Sequence, residues 1–203
     1  LTVNLNNKSL TSGGFLSMYT GTNPAALRSR DEIVQAFLTL LENTSLENMA
    51  VKQLMEATDL SRQTFYQIFN SKEEILEYYF DTIFSHFIID FKKHTIHNLC
   101  DAAKIFFAFF EKYKPTLKLI IQNGKSCVIQ RKCREYLRNE EFIQYHLQGI
   151  RSDQDQDYST TFVISGIVAM LEQWIREDFT TAPSANDLAL LVCRITGMPT
   201  ATQ

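Results

Sequence analysis

VKQLMEATDLSRQTFYQIFNSKEEIL, residues 51–76, is the stretch on which the fold turns. Val51, Leu54 and Met55 are spaced for one face of a short helix that stops at Thr58-Asp59. Leu60-Ser61 opens another: Ser61 is a good N-cap, and Phe65, Ile68 and Phe69 fall on one side. Ser71-Lys72-Glu73-Glu74 reads as a capping box in which Ser71 and Glu74 satisfy each other's free amides. It launches a long helix with Ile75, Leu76, Tyr79, Phe80, Ile83, Phe84, Phe87, Ile88 and Phe91 on its buried side. Upstream, from about Ala26, the residues Ile33, Ala36, Phe37, Leu40 and Leu41 form a further apolar stripe at helical spacing, broken by Asn43 to Asn48. Three short helices before a long one, with a tight turn between the second and third, make a helix-turn-helix pattern.

Working outward, the pattern stays helical. A break is expected near Thr95–Asn98, where Asn98-Leu99-Cys100-Asp101 is a second capping-box candidate. A helix follows through the aromatic run Phe106 to Phe110; Pro115 suits the first turn of the next, and Asn123-Gly124 ends it. Residues 126–149 read as helix, 150–157 as a polar connection, and Phe162 to Ile175 as nearly continuous apolar helix. Pro183-Ser184 starts a last helix carrying Leu188, Leu191, Val192 and Ile195. The expected fold is all-α with about nine helices and no strand. A polar arm over 1–24, whose single charge is Lys8, is expected to be flexible; 25–78 is the helix-turn-helix domain and 79–203 a helical bundle.

Composition narrows the function. At 203 residues, 45% hydrophobic and 21% charged, the chain has ordinary globular proportions. Seven Gly and four Pro are too few for a loop-rich or all-β scaffold. No stretch nears the ~18 apolar residues of a membrane span, and the opening residues lack the basic start and apolar run of a signal peptide. A cytoplasmic protein is expected. Cys100, Cys127, Cys133 and Cys193 show no C-x-x-C spacing and read as four buried or half-buried thiols. No metal is expected. The break at 95–98 separates Asp90 and His94 from His97 and Asp101, and Asp153-x-Asp155-x-Asp157 meets Tyr158 where a calcium loop needs Gly. Those acids suit a helix N-terminus. No nucleophile–base pair or phosphate loop is present either, so neither catalysis nor a cofactor is expected.

The residues facing away from the short third helix suit DNA. Arg pairs with guanine and Gln with adenine through paired hydrogen bonds, which makes Arg62 and Gln63 the expected base readers, with Thr64 and Gln67 beside them. Tyr66 can give its hydroxyl to a phosphate. Lys72 sits where the helix dipole disfavours a cation, which makes sense if it and the free amides hold a phosphate together. Lys52, Gln53, Arg28 and Arg30 are further phosphate candidates. The charge balance is adverse: 25–78 holds five Lys/Arg against nine Asp/Glu. The positive groups must therefore cluster on one face for DNA to bind.

Leu60-Ser61, Thr64-Phe65-Tyr66, Phe69, Lys72-Glu73 and Ile75 together match the signature of the TetR family of bacterial transcriptional regulators, which residues 26–78 resemble. The resemblance assigns Tyr66 to phosphate. The chain departs from the family pattern at Ala50, where Ser or Thr is usual and Asn48 is the alternative cap, and at Thr58-Asp59, where Ala-Gly is usual. GIVAMLEQWI (166–175) and the helix capped by Ser184 are more loosely similar to regulators related to the dihydroxyacetone-kinase operon activator.

The resemblance implies a homodimeric repressor that binds a palindromic DNA operator and is released by an effector of the bundle. Phe162–Ile175 supports a dimer independently, being apolar nearly all round: Phe162, Gly166 and Ala169, with Leu188, Leu191, Val192 and Ile195, would form the interface. Phe84, Phe87, Phe91, Phe106, Phe110, Tyr113, Phe142, Tyr145 and Trp174 either line a pocket for an apolar or aromatic small molecule or are plain core. Arg131, Arg134 and Arg138 form a basic stripe, ordinarily a solvated face. The alternative function is a protein-interaction module or co-activator switched by a partner protein. A deep cavity favours the effector, a filled core the partner.

Overall fold

The computed structural model describes residues 21–138, 152–177 and 182–197. These form nine helices: α1 Pro24–Leu41, α2 Val51–Glu56, α3 Arg62–Ile68, α4 Lys72–Phe91, α5 Leu99–Glu111, α6 Lys114–Gln122, α7 Ser126–Arg138, α8 Asp153–Arg176 and α9 Ala185–Ile195. No strand occurs among the described residues. Most of the 1–24 arm and the 139–149 part of the expected seventh helix, with Phe142 and Tyr145, lie outside them.

Side-chain caps explain where many of the helices begin. Asn23, Ser61, Ser71, Asn98, Ser152 and Ser184 each accept a backbone N–H from the first turn. Pro at the start of α1 and α6 sacrifices an amide that would be unpaired anyway. Two expectations shift here. From Asp153 on, the stretch assigned to a polar connection belongs to the start of α8, because Ser152 caps there and Asp155 follows in the first turn. The capping box at α4 reaches one residue further out: Ser71 Oγ accepts from Glu74 N at 3.2 Å, while the Glu74 carboxylate accepts from the Asn70 amide.

One apolar core runs from Ile33 to Val192 through both halves of the chain. α4 joins them. Its first turns, with Ile75 and Leu76 buried, pack on α1, and Tyr78 meets Phe69 at the end of α3 edge-on at 5.9 Å; Phe80, Ile83, Phe84, Phe87 and Phe91 enter the bundle. There Phe84, Phe87, Phe106, Phe109 and Phe110 meet ring to ring with centroids 4.6–5.6 Å apart, in tilted and edge-on pairs. All five are at most 6% exposed.

α9 packs along α5. Cys100 and Cys193 meet across this contact as a disulfide, with Cα atoms 5.0 Å apart. The expectation of four buried or half-buried thiols is therefore corrected for this pair and for the exposed Cys127: residues 93 apart in sequence carry no spacing signal, and only the fold brings them together. Cys127 is exposed, whereas burial pushes the Cys133 thiol well up and leaves it inert.

Truncating a ring in this cluster leaves a void its neighbours cannot fill. Phe110→Ala should cost about 3–5 kcal/mol in urea unfolding. A loss under about 1 kcal/mol would show that the rings repack and that the cluster is loose.

Candidate nucleic-acid interface

α3 owes its position to its inner side. Phe65 and Phe69 are fully buried and Ile68 nearly so, which leaves Arg62, Gln63, Tyr66 and Gln67 outside. Tyr66 is 59% exposed, its ring held edge-on against Phe65 at 5.1 Å. At the start of α3, Ser61 Oγ accepts from Thr64 N at 3.0 Å and lies 2.9 Å from Thr64 Oγ1. Thr64 is thus half-buried and part of the cap, while its four neighbours form the open polar face.

The turn before α3 works without the usual glycine. Thr58 Oγ1 donates to Met55 O at 3.1 Å and accepts from Leu60 N at 3.2 Å; Glu32 of α1 accepts from Asp59 N at 3.2 Å. A hydroxyl and a carboxylate pair the turn's amides that would otherwise be free. The alternative cap at Asn48 does not form: Ala50 is the N-cap of α2, with no side-chain hydrogen bond.

The cations divide into three groups. Arg28 and Arg62 are exposed, and Lys52, also exposed, forms an i,i+4 pair with Glu56 at 3.6 Å; Gln53 is exposed next to it. Arg30 is turned inward, its guanidinium 4.4 Å from the centre of the Tyr78 ring and its side chain 19% exposed. That corrects its assignment to phosphate, because stacking on Tyr78 of α4 takes its planar face. Lys72 is the third case. Its ammonium donates to Glu47 O at 3.0 Å and Met49 O at 2.9 Å. Two carbonyls of the α1–α2 loop therefore compensate the dipole that seemed to call for a phosphate, and one N–H is left over.

Behind the interface, α4 and α7 share a polar network. Lys132, 8% exposed, bonds Asp81 at 2.6 Å and lies 3.6 Å from Glu77; Arg131 also pairs with Glu77. Tyr136 donates to Asp81 at 3.1 Å and stacks on Phe84, and burial followed by the Asp81 charge pushes its hydroxyl up to about 12. Arg131 is thus engaged with α4, unlike an ordinary solvated cation. Arg134 is exposed beside a cavity of about 90 Å³ lined by Gln130, Ile164, Ser165 and Val168; the Arg138 side chain lies outside the described residues.

The residues expected to line an effector pocket mostly fill one another's space. Phe84, Phe87, Phe91, Phe106 and Phe110 are buried in the ring cluster, and Tyr113 leans on Phe109 at 5.2 Å. Trp174 donates to Pro183 O at 2.7 Å with the Lys114 ammonium 4.3 Å over its ring. The expected dimer residues split in two. Leu188 and Val192 are 7% and 5% exposed within the protomer's own core, which corrects their assignment: they share the inner face of α9 with Ala189 and Cys193. Phe162 at 79%, Ile195 at 68% and Leu191 at 37%, with Tyr158 at 71%, are open to solvent, as are Gly166 and Ala169. A Cβ on Gly166 would meet nothing within 4 Å. Tyr158 lies outside the expected apolar run, which begins at Phe162; one turn before Phe162 on α8, it belongs to the same stripe.

No family model matches the chain. Over 58 residues, 29% of its length, it is 33% identical to the HTH-type dhaKLM operon transcriptional activator DhaS of Lactococcus lactis subsp. lactis, a stretch that is 31% of that relative. The sequence match thus spans about a third of the curated relative. In fold, the chain is similar to a TetR transcriptional regulator from Streptococcus agalactiae, with TM-score 0.63 at 17% identity over 85% of this chain and 95% of that one. It is also similar to a solved dihydroxyacetone kinase operon activator DhaS, with TM-score 0.58 at 17% identity over 84% and 94%. The chain has the TetR-type all-helical fold.

Two substitutions separate the roles of the outer face. Arg62→Ala should relax base preference and leave the melting temperature unchanged. Lys72→Ala should lower the melting temperature, because two loop carbonyls lose their donor, and weaken all sequences alike through the displaced loop while leaving the salt slope near wild type. Anisotropy titrations and thermal melts check both. Equal loss of discrimination in the two variants would overturn the division.

Proposed function

We propose that the chain is a DNA-binding transcriptional regulator that acts as a homodimer on a palindromic operator. The observation that carries this is α3: seated on Phe65, Ile68 and Phe69, it presents Arg62, Gln63, Tyr66 and Gln67 outward with nothing packed over Tyr66. Such a helix can enter a major groove, with Arg62 and Gln63 at base edges, Tyr66 and Gln67 flanking them, and Lys52, Gln53 and Arg28 toward the backbone. The similarity to regulators in fold supports the same reading. The acidic balance of 25–78 argues for weak non-specific binding and for discrimination that rests on few contacts.

The dimer joins the open stripe of α8 to the exposed edge of α9. Tyr158, Phe162, Leu191 and Ile195 would be buried against a second copy, and Gly166 and Ala169 would let the two α8 helices approach closely. Two recognition helices then stand about one DNA turn apart (roughly 34–36 Å) or more. The sequence resemblance implies repression, while the curated relative is named an activator. The same interface serves either sign, because the position of the operator sets the outcome. No helix among the described residues is long and apolar enough to cross a membrane.

Release by a small apolar effector is one mode of control: a ligand that prefers one bundle geometry lowers operator affinity, and the operator lowers ligand affinity equally. The ring-on-ring packing of Phe84, Phe87, Phe106 and Phe110 favours a second reading, in which a partner protein switches the bundle.

The deciding experiment is a salt titration of binding to the DNA upstream of the chain's own gene, with a scrambled duplex as control. Tight, salt-sensitive binding of two chains per site to one segment is expected. Equal binding to both duplexes at low salt would move the reading to the interaction module. Phe162→Glu should give a monomer by light scattering and lose operator binding; a dimer that persists in this variant would place the interface elsewhere.

A further inference from the structure

The loop between α1 and α2, residues 42–50, is fastened from two sides. From α4, Lys72 holds the carbonyls of Glu47 and Met49. From the bundle, Asn123 Oδ1 accepts the Leu46 amide at 2.7 Å, across 77 residues of sequence, while its Nδ2 donates to Leu119 O at 2.8 Å. Leu46 and Met49 are each 2% exposed, so the loop is also plugged into the core on either side of these bonds.

Asn123 is held in place by the way α6 ends. Gly124 takes φ +71°, and the amides of Gly124 and Lys125 bond back to Ile121 O at 2.9 Å and Ile120 O at 3.2 Å. This left-handed helix stop suits Gly, and it fixes the residue before it. Leu117, Ile120 and Ile121 bury α6 in the core, and α6 packs on α8, the helix that bears the open apolar stripe. On the other side, α2 has six residues and no side-chain cap; Leu54 and Met55 bury it and it packs on α1, while the loop that feeds it fixes where it begins. α2 in turn packs on α3.

We propose that Asn123 is a positioning residue for the recognition helix. Its hydrogen bond to Leu46, with Lys72 on the other side, sets the loop, the loop sets where α2 begins, and α2 packs on α3. A shift of α6 on α8 is therefore delivered to the outward face of α3 through one amide bond. This adds a route of regulation to the regulator reading and rests on it for its biological meaning.

The two bonds of Asn123 can be removed separately. Asn123→Asp keeps an oxygen for Leu46 and loses the donor to Leu119. Asn123→Ser has a hydroxyl that reaches back to the carbonyl one turn earlier and is too short for Leu46. Hydrogen exchange read by mass spectrometry on the full chain follows residues 43–50 and 51–68, with urea unfolding as a check on global stability. Asn123→Ser should speed exchange in both segments, roughly tenfold or more, corresponding to the loss of one amide partner. Asn123→Asp should stay near wild type in both. Faster exchange confined to 43–50, or the same profile in the two variants, would overturn the proposal. The exchange readout needs no DNA. Wild-type protein that fails to discriminate the upstream duplex would sink the regulator reading and leave this result to stand or fall separately. If the regulator reading holds, Asn123→Ser should lower affinity for the upstream duplex severalfold while Asn123→Asp does not.

Discussion

A helix of seven residues cannot hold itself together in water, and everything that faces outward from α3 depends on what grips it from behind. Phe65, Ile68 and Phe69 provide that grip by filling the space among α1, α2 and the first turns of α4. The burial is complete for both Phe side chains, so the outer residues inherit a fixed orientation without any rigidity of their own. The rest of the architecture follows from anchoring this small platform. α4 extends from it into the bundle, and one apolar core continues along α4 with no gap. The aromatic cluster, the α5–α9 contact with its Cys100–Cys193 bond, and the α4–α7 network make the bundle a stiff base.

Electrostatics works against the platform in bulk and for it in detail. The helix-turn-helix region is acidic overall, yet several of its carboxylates have internal partners: Glu32 holds the turn before α3, Glu74 holds the start of α4, and Glu77 faces Arg131 and Lys132. The cations are likewise sorted, with Arg30 and Lys72 turned to structural work and Arg28 and Arg62 left outside. Position, rather than net charge, therefore determines what this surface can attract.

Much of this was legible in the sequence, because caps and periodicities are local. Asn98, Ser61, Ser71 and Ser184 announced helix starts through hydroxyl or amide groups that need only the next turn to act. The inward and outward sides of α3 followed from the spacing of three apolar residues. What could not be read was long-range. Lys72 looked like a phosphate ligand because the carbonyls that take it lie 23 and 25 residues away. Arg30 looked free because Tyr78 is on another helix. Leu188 and Val192 have the same composition as an interface but face α5, and nothing local distinguishes the two faces of a short apolar helix. Asn123 was read only as part of a helix stop; its second bond, to Leu46, exists only in the fold.

The central claim is that the outer face of α3 touches bases, and cross-linking from that face tests it most directly. A photoreactive amino acid at Gln63, an exposed position, would be carried by the full chain bound to the upstream duplex and irradiated. Cross-links to bases in two symmetric half-sites, about one helical turn (roughly 34–36 Å) or more apart, are predicted. Bound DNA that yields no cross-link from position 63, while the same group placed on the bundle captures it, would contradict the account.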